Sequence, residues 1–369
     1  MNSKLFLMQI AVGLFVAGGA WAARAEKSLS ASDSAVKKPI ARKAQITPAF
    51  TPDQAQIAYA DAKWVVWITD ETLDREFKKR VQMRRTRYFR QKLDSPDAPQ
   101  VFEMTAVYSR LVCSVLDDGT VLLSYGHELV WAFPDGTDKQ EILTYEGQDL
   151  NVVGGFREGL LLQPDRRPEA APVYFVPFEN RELQSDRRFL VTDEGGFKTT
   201  SRAWFVKGGD WLAYGQFLTN LRTRECRKVP DLHANAMPTA CDGETLIFWG
   251  HTQVAVALPG GRQTPVRLSD PGRDIRYVFA VKHGIGYFFD YDTTRPQERV
   301  LRTFRVSEKP GTSKGLLTVQ VRNPQGGGSP ISDISKIPHL LTDETLIVWD
   351  GLKWVTIPWL DDIDGSKSE

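Results

Sequence analysis

Apolar residues run through this chain in short blocks, and one block returns with the same turn in front of it. Asp118-Gly-Thr-Val-Leu-Leu-Ser-Tyr-Gly-His127 comes back as Asp242-Gly-Glu-Thr-Leu-Ile-Phe-Trp-Gly-His251. It returns more loosely as Thr342-Asp-Glu-Thr-Leu-Ile-Val-Trp-Asp-Gly351. The copies align without gaps at offsets of 124 and 100 residues. Each reads as a turn, a hydrophobic strand ending in an aromatic, and a second turn. A further strand follows each time, over Glu128–Pro134, Thr252–Pro259 and Leu352–Pro358. That is a β-hairpin phrase repeated along the chain.

From Val101 onward strands and turns alternate with little helical periodicity. Strand–turn–strand junctions fall near Asp117–Gly119, Arg157–Gly159, Lys207–Gly209, Asp242–Gly243, Lys282–Gly284 and Thr342–Glu344, with an earlier one at Asp61–Lys63. Gly, Asp and Pro punctuate runs rich in β-branched and aromatic residues. Asp70 to Lys92 breaks the pattern. Phe77, Val81, Arg84–Arg85 and Tyr88 recur at about four residues, with Thr72 as a possible cap, so the spacing predicts a short basic helical insertion within residues 70–99. A pair of strands is the alternative there.

Over Gln56 to Leu360 the Asp-Gly-x-x-Leu-Ile-x-Trp phrase resembles the blades of β-propellers, those of the kelch and two-component-regulator kinds in particular. The tandem Gly-Gly of kelch strands is missing at most repeats, and Gly126-His127 and Gly250-His251 do not sit where a WD40 blade would have them. The resemblance implies an all-β ring and carries over no family's functional residues. Seven junctions imply a seven-bladed β-propeller over residues 53–360, with six blades as the alternative if the basic insertion replaces one. Blades packed around an axis bury both faces of each sheet and leave only short edges. The last repeat has about three strands, and a strand near Ala44–Thr51 would complete it and latch the ring.

Charge and composition narrow the picture. The chain has 369 residues, 41% of them hydrophobic, enough for a sizeable core. A net charge of +1 argues against nucleic acid as a general partner. Lys4, the apolar run Leu5–Ala17 and the Ala-x-Ala sites ending at Ala22 and Ala25 read as a signal peptide over residues 1–25. That run is shorter than the roughly 20 residues of a spanning helix, so no transmembrane segment is expected after cleavage. Residues 26–52 read as a disordered tether and 361–369 as an acidic tail. The expected compartment is periplasmic or secreted, which permits a disulfide; Cys226 and Cys241 are close enough in sequence to form one, and Cys113 reads as a buried apolar residue.

Several residues invite chemistry. The run Arg75–Lys92 holds nine basic residues against Glu76 alone, with Phe77, Tyr88 and Phe89 interleaved. Arg84, Arg85, Arg87 and Tyr88 are its candidate ligand-binding residues, for a protein or an anionic polysaccharide of the cell envelope; the plainer reading is a solvated face. Trp354 and Trp359, as the tryptophans nearest the C-terminal end, are candidate stacking platforms for sugars, against blade packing as the default. Asp290-x-Asp292-x-Thr294 is similar to the nucleophile motif of haloacid dehalogenase-type phosphatases, which would imply aspartyl phosphate chemistry with magnesium. It lies amid strands near the chain's end, so a turn is the simpler reading. His127 and His251 hold matching places in two repeats and read as turn residues rather than a metal pair. No catalytic residue is named, and no metal or cofactor is expected. Taken together, the sequence reads as an exported non-enzymatic β-propeller binding scaffold. The alternative is a carbohydrate-active hydrolase or lyase using channel carboxylates.

Overall fold

A computed structural model describes residues 16–17, 48–72, 84–93, 95, 97–106, 110–145, 148–164, 172–192, 205–233, 236–250, 253–268, 277–291, 297–307, 309–321 and 337–360, with the backbone alone at 16–17, 70–72, 84–85, 104–106, 145, 148 and 291. Strand β1 is Val16–Ala17. Blade one holds β2 (Gln56–Ala60), β3 (Trp64–Thr72), β4 (Arg84–Lys92) and β5 (Gln100–Ala106). Blade two holds β6 (Leu111–Val115), β7 (Val121–Tyr125), β8 (Glu128–Ala132) and β9 (Asp138–Ile142). Blade three is built on β11 (Gln148–Phe156), β12 (Gly159–Pro164) and β13 (Tyr174–Glu179), with short strands β10 (Thr144–Tyr145), β14 (Glu182–Leu183) and β15 (Phe189–Leu190) at its margins. Blade four holds β16 (Phe205–Gly208), β17 (Trp211–Tyr214), β18 (Phe217–Asn220) and β19 (Cys226–Lys228). Blade five holds β20 (Met237–Cys241), β21 (Thr245–Trp249), β22 (Val254–Ala257) and β23 (Gln263–Pro265). Blade six holds β24 (Val278–Lys282), β25 (Ile285–Tyr291), β26 (Glu298–Arg305) and β27 (Lys314–Gln320). Blade seven has three strands among the described residues, β28 (His339–Leu341), β29 (Thr345–Trp349) and β30 (Trp354–Pro358).

Seven antiparallel sheets in chain order make a seven-bladed β-propeller, and the six-blade alternative falls away. The second strand of each blade explains the recurring apolar block, because both of its faces are buried. In β21, Leu246 and Phe248 pack toward blade four while Ile247 packs toward blade six. In β29, Leu346 and Val348 pack toward blade six while Ile347 packs on blade one. In β3, Val66 faces blade two while Val65 and Trp67 face blade seven. A strand covered on both faces needs a continuous apolar run rather than alternation. Apolar clusters of this kind span every interface between successive blades, that between seven and one included, so the ring closes.

The first strands bend where they converge. A β-bulge interrupts the pairing of first and second strands in blades one, two, three, five and six. An extra residue at that point raises the local twist and turns the inner strand along the axis. Close approach between inner strands demands glycine at Gly208, where a Cβ would lie 2.6 Å from the Cys241 carbonyl oxygen.

One expectation is corrected, and one open question is answered. The basic insertion is not helical where it is described: β4 pairs along its whole length with β3 on one side and, over Arg84–Arg90, with β5 on the other. Burial alternates from Thr86 to Arg90, with Thr86, Tyr88 and Arg90 buried, Arg87 exposed and Phe89 half-buried between them. Among the described residues the one helical turn is a 3-10 turn at Ser185–Arg187. Residues 73–83, with the rest of the basic run, lie outside the description. As for the cysteines, no disulfide joins Cys113, Cys226 or Cys241. Cys226 begins the outermost strand of blade four and Cys241 ends the innermost strand of blade five, so the polar stretch between them carries the chain from rim to axis.

The signal peptide, the tether to residue 47 and the tail from 361 lie outside the description, except that Val16–Ala17 pairs in parallel with Lys207–Gly208 of β16. Of the expected latch, Pro48–Thr51 is described and is not a strand. It holds by side chains: Phe50 packs on Trp67 and Phe89, the Ala49 N–H donates to Gln91 Oε1 at 2.9 Å, and Trp354 Nε1 donates to the Phe50 carbonyl at 2.8 Å.

Candidate functional site

All seven junctions legible in the sequence prove to be the same turn, the one joining first to second strand of a blade. In an up-and-down blade these turns share one end of the ring with the third-to-fourth turns; second-to-third turns lie at the other end. The recurring polar residue at the first of these turns caps it. Asp61 Oδ1 accepts the N–H groups of Lys63 and Trp64, each at 2.7 Å. Asp242 Oδ1 accepts those of Glu244 and Thr245 at 3.0 and 2.7 Å, and Thr342 Oγ1 those of Glu344 and Thr345 at 3.3 and 2.9 Å. An Asp or Thr side chain replaces the missing ladder partner, which is why Asp-Gly-Glu-Thr and Thr-Asp-Glu-Thr serve equally.

Charged side chains gather at this mouth of the channel. Asp61 is 1% exposed; its Oδ2 accepts from Tyr59 Oη and Arg157 Nη2, both at 3.1 Å. Arg157 Nε stands 3.5 Å from Asp117 Oδ1, which also pairs with Lys63 Nζ at 2.8 Å. Burial, then the charge of Asp61, pushes the Tyr59 phenol well above its ordinary pKa, so Tyr59 is fixed as a donor. The Lys63 hydrogen bond holds the Asp117 carboxyl below the ordinary range. Next round the ring, Lys207 is buried and its Nζ meets Glu158 Oε1 at 2.9 Å. Beyond it a small cavity opens among Val206, Lys207, Cys241, Lys282, Asp343 and Trp359, with a volume of about 20 Å³, room for a water molecule rather than a sugar ring. Desolvation raises the Asp343 carboxyl, with Lys282 and Arg157 drawing it back down.

The residues singled out in the sequence are dispersed. Tyr88 is buried, stacked on Phe102 at 5.1 Å with a 6° interplanar angle, so it serves the interface between blades one and two. Arg87 is exposed and its Nε pairs with Glu103 Oε1 at 2.7 Å. Arg84 and Arg85 occupy ladder positions opposite Thr72 and Glu71. Trp354 and Trp359 are half-buried rather than exposed. Trp354 meets Trp67 and Trp349 edge-on, while Trp359 packs on Tyr287 at 5.1 Å and donates to the Thr342 carbonyl at 2.8 Å. Asp290 Oδ2 accepts from Arg302 Nε at 2.8 Å, while Asp292 and Thr294 lie outside the description. His127 Nδ1 is 3.8 Å from Asp149 Oδ2; His251 is not described. Among the described residues no three His, Cys, Asp or Glu side chains converge as metal ligands. Sequence reasoning missed Asp61, Arg157, Lys207 and Lys282 as a group. Their positions at equivalent turns were the available signal, because equivalent turns of a closed ring meet near its axis.

No family model and no curated protein matches this chain. Solved structures do. A virginiamycin B lyase from Staphylococcus aureus aligns over 80% of this chain and 100% of its own at 10% identity and a TM-score of 0.42. An oligogalacturonate lyase in complex with manganese aligns over 82% and 99% at 10% identity and a TM-score of 0.39. A putative TolB from Agrobacterium tumefaciens covers 63% of this chain and 91% of its own at 11% identity and a TM-score of 0.32. What this chain has in common with them is the β-propeller fold, with neither substrate nor site residues carried across.

Proposed function

We propose that the chain is an exported, non-enzymatic binding scaffold that holds an anionic partner at the cell envelope, a protein or a polysaccharide, through the β3–β4 hairpin. The observation that carries this reading is the reach of that hairpin. β3 and β4 are each nine residues long, against five in β7 and β8 of the next blade. Four more residues at about 3.3 Å each add roughly 13 Å of strand, at the end of the ring away from the charged channel mouth. Arg84, Arg85 and Arg87 ride on this projection. Glu71 stands opposite Arg85 in the ladder and Glu103 pairs with Arg87, whereas Arg84 stands between Thr72 and Ala106. An exposed pair such as Arg87–Glu103 contributes only about 0–1 kcal/mol, so an anionic ligand can displace the glutamate at little cost. A scaffold is favoured over a hydrolase or lyase because Asp61, Asp117 and Glu158 at the channel mouth are each held by a cation.

The test is elution from a heparin column in a salt gradient. The wild-type protein is expected to need more salt than the variant carrying R84E, R85E and R87E, since each lost contact lowers a salt-dependent affinity. Identical elution of the two would remove the hairpin as the binding surface.

A further inference from the structure

The short strand β1 is seated inside the ring. It pairs in parallel with β16, Val16 opposite Lys207 and Ala17 opposite Gly208. The other side of β16 is taken by β17, and β16 is the innermost strand of blade four, so β1 lies on its inward edge, in the channel. Alternate residues along such a strand turn their N–H and C=O away from the sheet, toward the axis. An open edge of this kind is a template for another strand. This one is also cut off from water, since Val206, Lys207 and Gly208 are all buried, and buried backbone groups need partners. The walls beside it offer few: Ala240, Phe279 and Val281 of blades five and six are apolar, and the Lys207 ammonium is engaged by Glu158. A second backbone supplies what these side chains do not.

We infer that the inward edge of β16 is a strand-addition site for an extended, uncharged apolar segment. In this chain its own leader fills the site, and a partner protein's segment of the same kind takes the place once the signal peptide expected over residues 1–25 is removed. The seated strand shows both that the channel admits a backbone here and what chemistry it accepts, for Ala11 to Ala20 carry no charge and are all apolar or glycine. Backbone pairing gives the affinity in such additions and asks little of the sequence beyond the side chains that meet the walls. The pairing is parallel, and β16 ends at the turn before Trp211 in the charged mouth, so the guest points its C-terminal end toward that mouth. The site is separate from the basic hairpin, so either can fail without the other.

Amide hydrogen exchange read by mass spectrometry tests the edge. In the full chain, Phe205–Gly208 should exchange slowly. Val16→Pro with Ala17→Pro removes both N–H groups from the added strand and should speed exchange there about tenfold, leaving β20 as it was. Both positions lie outside the seven blades, so the variant keeps them. Equal exchange in the two chains would overturn the pairing. A fluorescein-labelled peptide of residues 12–19 then tests the guest by anisotropy. A chain beginning at Glu26, with all seven blades, should bind it saturably. The full chain should bind it about tenfold more weakly, because a tethered leader competes at high effective concentration. Equal uptake by both chains would put the peptide on an outer surface. No uptake by the shorter chain would confine the edge to the chain's own leader. Either result would overturn the partner site, whatever the heparin column shows for the hairpin.

Discussion

Arg157 of blade three reaches across the mouth of the channel to Asp61 of blade one, Nη2 to Oδ2 at 3.1 Å, passing over the blade between them. On the way its Nε lies 3.5 Å from Asp117 of that middle blade. One guanidinium therefore ties three blades together at the axis. Asp61 can be almost fully buried as an anion because four donors surround it: the N–H groups of Lys63 and Trp64, the Tyr59 hydroxyl and Arg157. Removing Arg157 leaves that charge without its counter-ion. Arg157→Met is expected to lower the unfolding free energy by roughly 3 kcal/mol, the low end for breaking a buried pair, since the turn N–H groups remain. Asp61→Asn together with Arg157→Met should recover part of the loss. Urea denaturation of the two single variants and the double variant checks this; additive losses would mean that the pair does not couple.

His339 gives the fold a weakness on the acid side. Its ring lies 4.7 Å from that of Phe279, and its Nδ1 is 2.7 Å from the Ile337 carbonyl oxygen. Burial pushes its pKa down to about 4, the hydrogen bond to Ile337 opposing. The unfolded chain, with an ordinary histidine near 6.5, takes up the proton first as pH falls. The stability tied to neutral His339 is therefore complete above about pH 6.5 and is lost as pH drops toward 4. Its upper limit is roughly 3 kcal/mol. His339→Phe should flatten the melting temperature between pH 7 and pH 4.5 relative to wild type. An equal fall in both proteins would assign the acid sensitivity elsewhere.

The fold was largely legible in the sequence, and the site was not, for one physical reason. A strand buried on both faces must be apolar without interruption, and the turn before it must cap itself, so Asp242-Gly-Glu-Thr-Leu-Ile-Phe-Trp announces its place in a blade. Those are local requirements, and they repeat. The Arg157 to Asp61 contact spans 96 positions in the chain, and no local pattern encodes it. Tyr88 shows the converse failure. Its spacing from Arg84 and Phe77 fits a helical face, yet its ring packs on Phe102 of the neighbouring strand, because β3 and β5 offer it a ladder on both sides. A strand this rich in basic residues then looks like a charged helix when read without those partners.

The thiols should react unequally. Cys113 and Cys241 are buried, and burial raises each pKa to about 12, so the nucleophilic thiolate is scarce at neutral pH. Cys226 is half-buried at the outer strand of blade four. Alkylation of the native protein at pH 8 is expected to modify Cys226 first and leave the other two until denaturant is added. A peptide linking Cys226 to Cys241 in a non-reducing digest would contradict the geometry described above.

Trp354 is expected to act on ring closure. Its indole packs on Trp67 of blade one at 6.0 Å and on Trp349 of its own blade at 5.4 Å, and its N–H reaches the Phe50 carbonyl. Among the described residues blade seven has three strands, and this contact ties the segment Pro48–Thr51 across the seam between blades seven and one. Trp354→Phe keeps a ring and removes one hydrogen bond, at a cost of about 1 kcal/mol. Trp354→Ala also empties the space between Phe50, Trp67 and Trp349, at roughly 3 kcal/mol. Because the seam joins the two ends of the ring, the alanine variant should unfold faster, with proteolysis in native buffer beginning at the terminal blades. Trp354→Ala with unchanged stability and weakened sugar binding would instead make this tryptophan a ligand platform.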